Sequence, residues 1–127
     1  MNPAITELTE NELQIMKIIW EKNSTTVRDV YEELLKHRKI AYTTVMTVMG
    51  VLEQKGHLKK TAKGRAYVYS PAHPQNEVVR TMVRDFVQRL FNGMSKPLLV
   101  HMIEDGKLTE AELDEVKKEL KAKRRRP

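Results

Sequence analysis

Residues 41–71 read AYTTVMTVMGVLEQKGHLKKTAKGRAYVYSP. Val45, Val48, Met49 and Leu52 recur at i, i+3, i+4 and i+7, which predicts a helix over Tyr42–Lys55 with one buried face. At about 100° per residue the opposite stripe carries Thr43, Thr47, Gly50 and Gln54, with Thr44 and Met46 at its edges. That outer face is small and polar, so nothing on it obstructs a close approach. Gly56 stands where a left-handed C-terminal cap would stop the helix. Leu58 then opens an extended segment and Lys63-Gly64 marks a turn. Tyr67-Val68-Tyr69 has the aromatic and β-branched content of a returning strand, which Pro71 ends.

Upstream, two more helices are expected. Thr9-Glu10-Asn11-Glu12 is a capping box in which threonine and glutamate satisfy each other's orphan amides, with Leu8 stapled onto Leu13. Leu13, Met16, Ile19 and Trp20 form the apolar face that follows. Asn23-Ser24-Thr25 breaks the pattern, and Thr26 opens a second helix whose Val27, Val30, Tyr31 and Leu34 face inward. Lys36 to Ile40 is then a turn. Three helices followed by a basic hairpin are the order of a winged helix-turn-helix, with Tyr42–Lys55 as the recognition helix. The expected fold is mainly α with a small β-hairpin wing, residues 1–71 forming the winged domain.

Charge singles out the same stretch once it is divided by region. Residues 1–35 carry a net −4, residues 36–65 a net +7, residues 66–116 a net −3 and residues 117–126 a net +6. The whole-chain +6 therefore equals the charge of the C-terminal tail and says nothing by itself about nucleic acid. The patch at 36–65 does, because it coincides with the recognition helix and hairpin. Basic side chains beside a helix with a small outer face suit phosphate contacts flanking a major groove.

After Pro71 a short linker, Ala72-His73-Pro74-Gln75, leads into a long helix from about Asn76 to Phe91. Val78, Val79, Met82, Val83, Phe86, Val87, Leu90 and Phe91 make a stripe too wide for a lone surface helix. A short helix with Leu98, Leu99, Met102 and Ile103 follows, and a second capping box at Thr109–Glu112 starts a last one with Leu113, Val116 and Leu120. Residues 72–127 are expected to form a helical dimerisation domain; the alternative is that these helices fold back on the N-terminal domain of the same chain. The tail reads as a solvated helix end over Lys117–Lys121, with a non-specific DNA contact as a second reading and disorder expected over Lys123–Arg126.

Other chemistry is thin. The chain holds no cysteine, which excludes disulfides, thiolate zinc sites and thiol catalysis. No serine is paired with a positioned base and no glycine-rich phosphate loop is present, so no enzyme is expected. His101 and Glu104 lie one helical turn apart, but a lone pair does not make a metal site. No cofactor or metal is expected. No apolar run approaches the roughly 20 residues of a membrane span, and MNPAITELTENEL lacks a basic-then-apolar leader pattern, so a cytoplasmic protein without membrane insertion is expected.

Taken together, LTENELQIMKIIW, VRDVYEEL, AYTTVMTVMGVLEQKG, GRAYVYSP and the C-terminal region resemble the penicillinase-repressor family of BlaI, MecI and CopY type, over nearly the whole chain. The resemblance implies a bacterial homodimeric transcriptional repressor that binds double-stranded DNA at a dyad operator. In the copper-responsive branch paired cysteines sense metal; this chain has none. In the β-lactam-responsive branch a membrane sensor protease leads to cleavage at an Asn-Phe bond. That pair is absent, and Phe91-Asn92-Gly93 has the order reversed, so a sensor protease is a candidate partner without a site.

The expected DNA contacts are Tyr42, Thr43, Thr44, Met46 and Thr47 on the recognition helix, with Lys39, Lys60, Lys63 and Arg65 for phosphate or minor groove. The stripe has methyls and hydroxyls but no arginine or asparagine for bidentate base reading. Discrimination per half-site should be low, with symmetry, spacing and DNA shape supplying the rest. Val79, Met82, Val83, Phe86, Leu90, Leu98, Leu99, Met102, Leu113, Val116 and Leu120 are the expected dimerisation residues. The competing function is a winged-helix adaptor that binds protein and no DNA.

Overall fold

The computed structural model describes residues 5–124. In order they form α1 (Glu10–Lys22), α2 (Val27–Leu35), α3 (Tyr42–Gln54), β1 (Leu58–Lys63), β2 (Ala66–Pro71), α4 (Gln75–Phe91), α5 (Lys96–Glu104) and α6 (Glu110–Arg124). The first compact unit ends at Met82 and the second begins at Val83.

Each of the first two helices starts on a threonine. Thr9 Oγ1 accepts from the Glu12 amide at 3.2 Å while Glu12 Oε1 accepts from the Thr9 amide at 2.8 Å, which completes the capping box. Thr26 Oγ1 accepts from the Asp29 amide at 3.1 Å. Apolar positions at helical spacing then close one core: Ile15, Met16, Ile19 and Trp20 from α1, Val30 and Leu34 from α2, and Val45, Met49 and Leu52 from α3. Leu8 is buried in this core, and Leu13 is partly buried at its edge. Val48 is only partly buried at the edge of this cluster.

Helix α3 stops in a Schellman arrangement. Gly56 has φ +87°, its amide donates to Glu53 O, and the His57 amide reaches back to Leu52 O at 2.9 Å. The hairpin follows at once, pairing Leu58 with Pro71, Lys60 with Tyr69 and Lys63 with Ala66. Its two turn residues are therefore Gly64 and Arg65, one position later than the Lys63-Gly64 turn expected from sequence. Gly64 has φ +64°, and glycine at the first central position is what a II′ hairpin demands. The base of the hairpin is tied down by Tyr69, which exchanges two backbone hydrogen bonds with Thr25 at 2.7 and 3.0 Å.

The winged unit does not finish at Pro71. Val78, on the second turn of α4, is completely buried in the N-terminal core and Met82 packs against it. The Trp20 indole also donates to His73 O at 3.1 Å. The expected linker at Ala72–Gln75 is thus held in place, and the first two turns of α4 fill a gap that three helices and a hairpin leave open. Covering one valine is worth roughly 1.5–3 kcal/mol.

In the second unit, Val87 is buried, Phe91 lies against Phe86 (ring centroids 6.2 Å apart) and against His101 (5.9 Å). A second capping box stands at Thr109–Glu112. Helix α6 continues to Arg124, so Lys123 and Arg124 are helical where sequence suggested disorder; Arg125 and Arg126 lie outside the described residues. No helix among the described residues is long and apolar enough to cross a membrane.

Candidate nucleic-acid interface

Helix α3 shows two unlike faces. Val45, Met49 and Leu52 are buried, whereas Tyr42, Thr43, Thr44, Met46 and Thr47 are exposed, Met46 at 48 %. A side chain added at Gly50 would meet nothing within 4 Å, so that face is open. Tyr42 is oriented by Tyr31 of α2, ring edge to ring face at 5.4 Å. The helix starts on Ala41, which has no side chain to cap it. The Thr44 amide turns back onto Ala41 O at 3.1 Å, so the amides of Tyr42 and Thr43 are the ones left for an anion, with no capping side chain in front of them as Thr9 and Thr26 stand in front of α1 and α2.

The basic patch sorts into two groups. Lys55 and Lys36 are ion-paired within the chain, to Glu12 at 2.8 Å and to Glu33 at 2.9 Å. Arg38 is held by Asn11 Oδ1 at 3.0 Å, which pins the α2–α3 turn to the start of α1. Lys55 is a structural cation: it neutralises a carboxylate whose side chain is only 5 % exposed. Burial opposes ionisation of Glu12, but the Lys55 ammonium and the Thr9 backbone and side-chain bonds outweigh it, and its carboxyl titrates below the usual glutamate range. The second group is Lys39, Lys59, Lys60, Lys63 and Arg65, all exposed and with no carboxylate ion pair among the described residues.

On the hairpin, residues directly opposite share a face. One face carries Leu58, Lys60 and Ala62 with Tyr67, Tyr69 and Pro71; the other carries Lys59, Thr61 and Lys63 with Ala66, Val68 and Ser70. Lys60 and Lys63, expected to act together, are therefore on opposite faces. Lys59 shares the face of Lys63, with Thr61 between them; the expected set omits it, although the period-two alternation of a strand marks it. Arg65 sits in the turn itself. His57, between the Gly56 cap and β1, is buried and its Nε2 donates to Thr6 O at 2.8 Å, fastening the segment before α1 to the α3–β1 corner.

Of the residues expected in a dimer, Val79, Val83, Phe86, Leu90, Leu99, Val116 and Leu120 are exposed, Leu90 at 62 %. Leu98, Met102 and Leu113 are half-buried. Met82 differs, being engaged with the winged core.

These features define a winged-helix domain of the nucleic-acid-binding kind, followed by helices with uncovered apolar faces. The penicillinase repressor family profile matches residues 8–122, and the chain belongs to that family, one of transcriptional repressors rather than enzymes. The chain is 28 % identical over 112 residues to the penicillinase repressor of Bacillus licheniformis, covering 88 % of each chain. It is 35 % identical over 102 residues to the transcriptional regulator BlaI of Mycobacterium tuberculosis, covering 79 % of this chain and 74 % of the relative. Among solved structures, the DNA-binding domain of the repressor BlaI aligns with a TM-score of 0.53 at 30 % identity, over 60 % of this chain and 93 % of that one. The monomeric form of Bacillus licheniformis BlaI in complex with the blaP half-operator aligns at 0.51 and 31 % identity, over 58 % of this chain and 90 % of that one.

Proposed function

We propose that this protein is a cytoplasmic homodimeric repressor that occupies a dyad operator, α3 of each protomer lying in a major groove and each hairpin reaching the flanking backbone. The observation that carries the reading is the pairing of an open, uncharged outer face on α3 with neighbouring cations that have no carboxylate ion pair among the described residues. Protein cations left free in this way release counterions from DNA when they bind, which supplies affinity. Tyr42, Thr43, Thr44, Met46 and Thr47 meet base edges and sugar, and Lys39, Lys59, Lys60, Lys63 and Arg65 meet phosphates.

One such domain contacts few bases, so two must act together. The uncovered row Val79, Val83, Phe86 and Leu90 on α4, with Leu99, Val116 and Leu120, supplies the surface that a second copy covers. An upstream membrane sensor protease belongs to this reading only if its gene is co-transcribed, which the genomic neighbourhood decides.

The test is footprinting on the protein's own upstream DNA, with sedimentation run in parallel. A protected dyad filled by two protomers supports the repressor. Absence of protection at low salt overturns it, and capture of a protein partner without salt dependence would replace it by the adaptor.

A further inference from the structure

Lys60 is unlike the other hairpin cations. Its ammonium lies 4.1 Å from the centroid of the Tyr67 ring and 5.9 Å from that of Tyr69. Both tyrosines share its face of the hairpin, Tyr69 directly opposite and Tyr67 on the diagonal. Their roles divide. Tyr69 is buried and bonded to Thr25, so it belongs to the anchored base, whereas Tyr67 is 54 % exposed, lies outside the core cluster and stands beyond that base toward the turn.

We propose that Tyr67 is a positioning residue of the DNA-binding wing: its ring seats the Lys60 ammonium so that the charge meets a phosphate already oriented. The proposal rests on the DNA-binding reading above. A lysine normally explores many rotamers and loses that freedom on contact; an ammonium attracted to an aromatic face has part of it removed in advance. The ring has no lone-pair acceptor to claim the ammonium, so the N–H groups turned away from it remain for the anion. Lys59 and Lys63, on the opposite face, have no such seat.

Full-length protein is titrated against a duplex from its own upstream region over a salt series. K60M is expected to lower the salt slope by about 1, and Y67L to weaken binding about 5-fold, the size of one such cation–ring contact. In the K60M background Y67L changes nothing further, whereas with Lys60 present Y67F, which keeps the ring, holds affinity within about twofold of the unaltered protein. Additive losses from K60M and Y67L, or a Y67F loss equal to that of Y67L, overturn the proposal while leaving the repressor reading intact. The Lys60 Hε resonances give a check independent of DNA. An upfield ring-current displacement that disappears in Y67L supports the seat, and its absence in the unaltered protein overturns it. No DNA binding by the unaltered protein overturns both readings.

Discussion

Replacing Lys55 by methionine should cost stability and leave DNA binding nearly untouched, although the lysine lies at the end of the recognition helix. Its ammonium is 2.8 Å from Glu12 Oε1, with side-chain exposures of 31 % and 5 %. Breaking a fully buried pair from one side costs about 3–5 kcal/mol, and an exposed pair about 0–1. Here one partner is buried and the other a third exposed, while the Thr9 amide still donates to the same oxygen at 2.8 Å. The loss should therefore be about 2 kcal/mol, or roughly 10 °C in the melting temperature of a unit this size. Urea titration of K55M at the same protein concentration as the unaltered protein measures it. E12Q/K55M should recover part of the loss, because the amide oxygen can keep the cap without leaving a buried charge. The salt slope of DNA binding in K55M should not change. Unaltered stability together with a slope reduced by about 1 would refute the assignment and add Lys55 to the DNA contacts.

Acid should expose the same pair. Glu12 titrates lower in the folded than in the unfolded chain, so its contribution is full above the unfolded value and is lost as pH falls through the folded one; denaturant midpoints should drop there, and less steeply in E12Q. Lys59→Met and Lys63→Met should each leave the melt unchanged and reduce the salt slope by about 1, measured by anisotropy. A fragment ending at Pro71 should be less stable than one ending at Met82 by at least the roughly 1.5–3 kcal/mol of the Val78 side chain, read by circular dichroism melts. Phe86→Asp should yield monomers by sedimentation and weaken operator binding by about 10²-fold or more, the lower range of the gain from linking two sites.

The helices of the winged unit were legible because their signals are local. A capping threonine, a four-residue apolar spacing and a glycine at C′ each act within one or two turns, and they placed α1, α2 and α3 to within a residue. What sequence could not supply were pairings across distance. Lys55 and Glu12 are 43 positions apart, so a charge that looked available for DNA is already taken. Val78 reads as one more member of an amphipathic stripe, and only the packed core reveals that it completes the first unit. Lys60 and Lys63 point to opposite faces because they are three positions apart on one strand, and a turn placed one residue early took Lys63 out of that strand and so hid the partition. The outward stripe of α3 was readable for the opposite reason: a helix with one buried face fixes its exposed face by geometry alone.

Helix α4 starts inside one folding unit and ends outside it, without a break. A protein engineer who wished to graft this reading head onto another assembly device would find no loop to cut: the natural seam runs through the middle of a helix after Met82. Every residue inserted there turns the Val83, Phe86 and Leu90 row by about 100° around the axis from Val78. Grafts of this module would accordingly succeed or fail with a period of three to four residues, like the teeth of a gear, rather than improving smoothly with the length of the joint.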